Sequence, residues 1–105
     1  MNDKLLTLLG FAAKSGNLSY GMNSTVSSVR SNRAKLVLVC GDISEKSRKE
    51  IAFHCKNSDV KVLLLDDYNI QAVCDAVGKN CGILAINDSS FADAVLRVRE
   101  QGGNV

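Results

Sequence analysis

A chain of 105 residues, 46% hydrophobic and 23% charged, can bury one core without disulfides or metals, so residues 1–105 are expected to form a single domain. No apolar stretch approaches the roughly 20 residues of a membrane-spanning helix, which predicts a cytoplasmic protein without a membrane partner. The net charge is only +2, yet residues 1–56 hold nine Lys or Arg against four Asp or Glu, whereas residues 57–105 hold four against seven. This asymmetry indicates either an anionic partner for the first half or an ordinary solvated surface.

Hydrophobic spacing divides the first half of the chain into two helices and two strands. A helix is predicted over residues 2–14 and is ended by Gly16, which favours the left-handed turn after a helix. Leu18–Tyr20 is predicted to be a short edge strand, and a second helix is predicted over residues 22–31. Residues 35–40 follow as a strand that is apolar on both faces, which favours a mainly parallel sheet covered on both sides.

The second half alternates further helices with strands at residues 61–65 and 82–86. Helix three runs to about Lys56, with Ile51, Ala52 and Cys55 facing inward. The expected caps are Asp42 or Ser44 for helix three (Asp42 and Glu45 have capping-box spacing), Asp66 or Asp67 for helix four, and residues 87–90 for helix five. The alternation predicts an α/β fold, a three-layer α/β/α sandwich with a four-stranded mixed sheet and five helices.

The chain contains little that favours catalysis or metal binding. The four cysteines form no C-x-x-C pair and His54 is the one histidine, so we expect no metal site. Asp42, at the end of a strand, and Cys81, in a predicted exposed loop, are the best catalytic candidates. Neither has a partner base or a cofactor loop nearby in the sequence, so we predict a non-enzymatic protein without a catalytic residue or cofactor.

The start of the second helix is the best candidate for a binding surface. Its first amides lack intrahelical partners, and Gly21 permits close approach while Asn23 offers both donors and acceptors to a base edge. Short side chains at Ser24, Ser27 and Ser28 leave the flank open. Positive charge follows at Arg30, Arg33 and Lys35. These residues fit docking on nucleic acid and fit equally a helix whose outer face is merely solvated.

An ordered set of short motifs resembles the ribosomal-protein superfamily of L7Ae, L30e and S12e, and in particular its small bacterial ribosomal-protein-like members. The matching motifs are Lys14-x-Gly16, Gly21-x-Asn23, Arg30, the strand Ala34–Val39 (AKLVLV), the turn Asp42–Glu45, Ala76-Val77-Gly78-Lys79, and the strand Ile83–Ile86 followed by Asn87-Asp88. The resemblance covers nearly the whole chain and implies the same α/β/α sandwich.

The resemblance also implies binding to kink-turn RNA, a sharply bent stem with tandem sheared G·A pairs. By analogy, the start of helix two enters the widened groove, where Gly21 allows close packing and Asn23 reads a purine edge. The loop after helix four is implied to contact the extruded nucleotide. The implied RNA-binding residues are Lys14, Gly21, Met22, Asn23, Ser24, Ser27, Arg30, Arg33, Gly78, Lys79, Asn80 and Cys81. We therefore expect a monomer that binds kink-turn or ribosomal RNA and associates with the ribosome.

Several positions depart from the family pattern. RNA-binding members usually place Glu or Gln where Ser24 stands and Lys where Ser27 stands, and they often carry basic residues where Asn17, Ser19 and Tyr20 stand. Two lost charge-assisted contacts weaken binding by about 100-fold or more. The alternative hypothesis is therefore a protein-interaction module on the same fold, with a degraded RNA surface.

Overall fold

Four strands form one mixed sheet in the computed structural model, which describes residues 3–102. They are β1 (Leu18–Tyr20), β2 (Leu36–Cys40), β3 (Val62–Leu65) and β4 (Ile83–Ile86), in the order β1-β4-β2-β3. The mixed sheet is confirmed, but the prediction of a mainly parallel one is wrong. Only β2 and β3 pair in parallel, while β4 runs antiparallel to both β1 and β2. The apolar sequence of β2 shows that both of its faces are buried, but it does not indicate whether the neighbouring strands run parallel or antiparallel to it.

Five helices cover the two faces of the sheet and confirm the three-layer sandwich. They are α1 (Lys4–Lys14), α2 (Gly21–Arg30), α3 (Glu45–Ser58), α4 (Ile70–Val77) and α5 (Ser89–Gly102). The predicted helix start at Asn2 lies outside the described residues. The apolar sides of α1, α4 and α5 share one core, and those of α2 and α3 share the other. No helix within residues 3–102 combines the length and the apolar character needed to cross a membrane.

The buried sides of α2 and α3 match the predicted apolar faces only in part. Ala52 was expected to face inward but is exposed, because Ile51 and Cys55 alone fill the inner side of that part of α3. On α2, the spacing of Met22, Val26 and Val29 predicts one inward face; Val29 is fully buried, whereas Met22 and Val26 are only half-buried. Two polar residues of the same helix, Thr25 and Ser28, are fully buried instead.

The helix caps differ in part from the predicted ones. Ser44 caps α3, as one of the two alternatives predicted, by accepting a hydrogen bond from the Ser47 amide at 3.2 Å. The Asp42 carboxylate accepts from the Ile70 amide of α4 at 2.9 Å, so the expected Asp42–Glu45 capping box does not form. Helix α4 is capped by Asn69, so the prediction of Asp66 or Asp67 as its cap is wrong. Asp88 lies in the predicted range 87–90 and accepts from the Phe91 amide at 2.9 Å.

A set of four polar side chains, which we term the closed cluster, ties α1 to α5 through the β3–α4 connection. Its members are Asp3, Asp67, Tyr68 and Arg99. The Tyr68 hydroxyl donates to Asp3 Oδ2 at 2.6 Å, and Arg99 Nη1 donates to Asp67 Oδ2 at 2.9 Å. Burial and then the bond to Asp3 raise the pKa of Tyr68, while the Arg99 hydrogen bond lowers the pKa of Asp67. Each charged or hydroxyl group in the cluster thus has a partner from another element.

Candidate nucleic-acid interface

The edge strand β1 passes directly into α2, and this junction leaves the start of the helix without a side-chain cap. Tyr20 is the N-cap residue in extended conformation, and it makes no side-chain capping bond. Gly21 follows with φ +83°, a left-handed conformation that favours glycine. A Cβ at this position would meet no atom within 4 Å. Glycine is therefore favoured here by its backbone conformation and not by lack of space, and the surface beside it is open. The amides that follow Gly21 in the first turn of α2 are therefore available to a ligand.

A shallow groove runs between β1 and the outer side of α2. We term it the β1–α2 groove, and it is lined by Leu18, Ser19, Tyr20, Asn23, Ser24, Ser27 and Arg33. Asn23, Ser24 and Ser27 are exposed along it, as predicted, because they fall on the side of α2 opposite the buried Val29. Arg33 lies in the turn after the helix and supplies positive charge to the same groove. The structure therefore brings four of the predicted residues together.

Partly buried hydrogen bonds support the inner side of this groove. The Ser19 and Ser28 hydroxyls share a hydrogen bond, and Asn87 Nδ2 donates to Ser19 Oγ at 3.0 Å. The prediction that Ser28 helps to leave the helix flank open is therefore wrong, since its side chain is fully buried. The alternation of β1 could have indicated this network, because it turns Ser19 away from the core face of Leu18 and Tyr20. The network joins β1, α2 and the β4–α5 junction into one rigid support.

The loop at residues 78–82 lies beside the start of α2. Gly78 ends α4 with φ +80°, and Lys79 and Asn80 are exposed. Lys79 Nζ lies 5.5 Å from the centroid of the Tyr20 ring, a cation–π contact that no pattern in the sequence predicts. This contact links the loop to the residue immediately before Gly21. The loop and the first turn of α2 thus form one continuous surface.

Cys81 differs from its predicted environment. It was expected to be exposed in the loop, but it is only 6% exposed. Burial is the main cause that raises the pKa of its thiol; Cys74 raises it further, and a hydrogen bond from the Gly21 backbone opposes the shift. A buried thiol with a raised pKa is a weak nucleophile, so Cys81 is a poor catalytic candidate. Its position instead fixes the loop against the start of α2.

A second depression, the α2–α3 hollow, lies on the other side of Gly21. It is lined by Gly21, Met22, Asp42, Ile43, Ser44, Ser47, Ile70, Gly82 and Ile83. A Cβ at Gly82 would overlap Cγ2 of Ile43 and lie 3.1 Å from Cδ1 of Ile70, so this position admits only glycine without rearrangement. Asp42 is engaged in the hydrogen bond to Ile70 described above, which gives the second catalytic candidate a structural role.

Two predicted residues lie away from the β1–α2 groove. Lys14 lines a separate groove between α1 and α4, together with Phe11 and Asp75. Arg30 is exposed at the last residue of α2, about 10 Å along the helix axis from Asn23. Their distance from the first turn of α2 limits them to contacts with a ligand larger than the groove.

Known proteins share both the sequence pattern and the fold of this chain. The sequence model of the ribosomal protein L7Ae/L30e/S12e/Gadd45 family matches residues 3–95. The RNA-binding protein YlxQ of Enterococcus faecium is 29% identical over 89 residues, which cover 85% of this chain and 84% of that protein. The large ribosomal subunit protein eL30 of Yarrowia lipolytica is 29% identical over 82 residues, 78% of this chain and 71% of that protein. A solved structure from Bacillus halodurans, of unknown function, has a TM-score of 0.88 at 24% identity over 94% of this chain and 99% of that chain, which shows a common fold.

Proposed function

We propose that this chain, which belongs to the ribosomal protein L7Ae/L30e/S12e/Gadd45 family, is a non-enzymatic cytoplasmic protein that binds kink-turn RNA. Similarity to a protein named as RNA-binding and to one named as a ribosomal subunit protein supports RNA as the partner. The observation that carries the proposal is the uncapped first turn of α2, exposed beside the loop at residues 78–82. Residues 1–105 act as one domain and as a monomer in this proposal.

Asn23 is the residue proposed to read sequence. It stands in the first turn of α2, exposed at the mouth of the β1–α2 groove, where its amide can donate to and accept from a purine edge. Regular A-form RNA hides such edges in a deep, narrow groove, whereas a bent and partly unstacked stem exposes them. Gly21 and Met22 bring the backbone close, and Ser24 and Ser27 supply neutral hydrogen bonds along the groove.

Basic residues on three sides are proposed to contact phosphates. Arg33 lies in the groove itself and Lys79 lies in the loop at residues 78–82. Arg30 and Lys14 would contact the phosphates of an RNA that extends beyond the groove. In the loop, Gly78 and Asn80 offer backbone and amide groups to an extruded nucleotide, while the buried Cys81 positions them. Each phosphate contact steepens the dependence of affinity on salt.

The test compares two RNA duplexes that differ only in the kink. One carries tandem G·A pairs and the other carries Watson–Crick pairs at the same positions, and both are titrated with the protein at moderate salt. We expect the kink-turn duplex to bind at least about 10-fold more tightly, because only it exposes the purine edges that Asn23 reads. Equal affinity for the two duplexes would exclude the specific mode.

Ribosomal RNA is the proposed natural target. The support is the similarity to a large-subunit protein, together with the excess of basic residues in residues 1–56. We expect the protein to co-sediment with large ribosomal subunits at low salt and to dissociate as salt rises. Co-sedimentation that is unchanged by Asn23→Ala would place the ribosomal contact on another surface.

A protein-interaction module on the same fold is the second candidate. The neutral serines at 24 and 27 favour it, because they leave the exposed side of α2 without charge until Arg30. Affinity capture that recovers a protein after ribonuclease treatment, but no RNA before it, would select this candidate over RNA binding.

A further inference from the structure

The outer side of α3 carries an exposed aromatic ring between lysines. Phe53 is 63% exposed, the highest value among the large exposed hydrophobic residues of the part of the chain that the structure describes. Lys46, Lys49 and Lys56 are exposed at positions seven and four residues before it and three residues after it, so helical spacing places all four on one side. We term Lys46, Lys49, Phe53 and Lys56 the α3 stripe.

The fold does not require an aromatic residue at this position. The opposite side of α3 supplies Ile51 and Cys55 to the core, and both are almost fully buried. The Phe53 ring has an edge-to-face contact with the ring of its neighbour His54, with centroids 5.6 Å apart. One face of a large apolar ring therefore stays in water, which is unfavourable in free energy. Contact with a ligand would remove that face from water.

The stripe begins near the surface assigned to RNA, since Lys46 is the residue before Ser47 at the start of α3. Helix α3 packs against α2 and begins at the α2–α3 hollow, where Ser44 and Ser47 share a wall with Gly21 and Met22. Phe53 lies six residues beyond Ser47, about 9 Å along the helix axis and about 120° around it. A strand of RNA that leaves the first turn of α2 across the hollow reaches the stripe within a few nucleotides.

We propose that the α3 stripe binds a single-stranded segment flanking the kink-turn, with one unpaired base stacked on Phe53 and phosphates beside the lysines. This inference rests on the function proposed above. Exposed lysines around an aromatic ring are the pattern by which proteins hold unpaired nucleotides, since bases stack on the ring and phosphates pair with the charges. Lys49 pairs with Glu45 at 3.7 Å, but both side chains are about three-quarters exposed, so the pair is weak and phosphate displaces it.

Protein partners fit the stripe less well. Apolar protein interfaces deplete lysine from their centre, whereas three lysines flank Phe53 here and outnumber the two carboxylates of Glu45 and Glu50 on the same side of α3. The charge also agrees with the basic excess of the first half of the chain. RNA is therefore the occupant that satisfies the ring and the lysines together.

The experiment measures affinity for a kink-turn core alone and for the same core with four unpaired adenosines added at its 5′ or its 3′ end. One extension is expected to tighten binding by about 5- to 30-fold, the effect of stacking one base. Phe53→Ala should abolish that gain and leave the affinity for the core within about twofold, while Phe53→Trp should retain it. Phe11→Ala is the matched control, since Phe11 is 55% exposed on α1 and should change neither affinity.

The outcomes separate this inference from the proposed function. If the core binds but neither extension tightens binding, or if the gain survives Phe53→Ala, the α3 stripe does not bind RNA. If the core itself does not bind, a ten-nucleotide oligoadenylate decides: binding that requires Phe53 supports the stripe, and its absence overturns it. Loss of a captured protein on Phe53→Ala, with RNA affinities unchanged, overturns it in favour of a protein contact.

Discussion

The closed cluster and the β1–α2 groove are both rich in polar side chains, but they differ in what those side chains face. In the closed cluster, Tyr68 donates to Asp3 and Arg99 donates to Asp67, so the groups satisfy one another across three elements. In the groove, Asn23 and Ser24 face solvent above an uncapped helix start. Groups of the first kind hold the fold together, while groups of the second kind remain available to a ligand. Substitutions in the two regions should therefore separate stability from binding.

The largest effect is expected from Asn23→Ala. Loss of a two-point contact to a purine should weaken binding to kink-turn RNA by about 10- to 100-fold. Because Asn23 is exposed, the free energy of unfolding should change by less than about 0.5 kcal/mol. RNA titration and urea denaturation of the same preparation measure both quantities. A large loss of stability with unchanged affinity would reverse the role assigned to the groove.

Tyr68→Phe should produce the opposite result. Removing the hydroxyl deletes its partly buried hydrogen bond to the Asp3 carboxylate. This loss should lower the free energy of unfolding by about 1–2 kcal/mol. Affinity for RNA should stay within about twofold, since the closed cluster has no residue in the groove. Urea denaturation gives the first value and the RNA titration the second. A loss of affinity comparable to that of Asn23→Ala would mean that the two regions are coupled.

Alkaline pH should sharpen the same contrast. The raised pKa of Tyr68 means that the folded state keeps a proton that the unfolded state releases near pH 10. The contribution to stability is thus complete below about pH 10 and is lost as the pH rises further. Between pH 9 and pH 11, the wild-type protein should lose about 1 kcal/mol more than Tyr68→Phe. Burial raises the pKa of Cys40 and Cys55 to about 11, but these thiols are common to both proteins and cancel in the difference.

The smallest effect is expected from Lys79→Ala. Loss of one phosphate contact should weaken binding to RNA by a few-fold and reduce the slope of log affinity against log salt by about 0.9. The cation–π contact with Tyr20 is exposed, so its loss should cost at most about 1 kcal/mol of stability. Affinity measured at several salt concentrations provides the slope. Lys61→Ala, immediately before the edge strand β3, is a control for a general loss of charge, and an equal change of slope would contradict a specific contact of Lys79.

The sequence predicted the fold well because periodicity reports burial directly. Every helix and strand was located, and Leu18–Tyr20 was recognised even though it spans three residues. Strand direction was not predictable, since β2 has the same apolar pattern whether its neighbour runs parallel or antiparallel. The cap of α4 was misassigned because Asp67 and Asn69 both suit a helix start, and only the tertiary pairing of Asp67 with Arg99 distinguishes them.

The candidate site was predictable only in part for a related reason. The exposure of Asn23, Ser24 and Ser27 follows from helical spacing alone. The burial of Ser28 and Cys81 does not follow from spacing, because serine and cysteine are small residues that occur both in protein cores and at protein surfaces. The contact between Lys79 and Tyr20 joins residues about 60 positions apart in the chain, a separation that no local pattern encodes.

The pairing of β1 with β4 has a consequence for the order of events during synthesis. Within the described residues, the strand that leads into α2 pairs with β4, and its Ser19 accepts a hydrogen bond from Asn87. A nascent chain therefore cannot complete the support of the groove until β4 has left the ribosomal exit tunnel. Ribosome-bound chains stalled before residue 83 should therefore fail to bind the kink-turn RNA proposed above as the ligand.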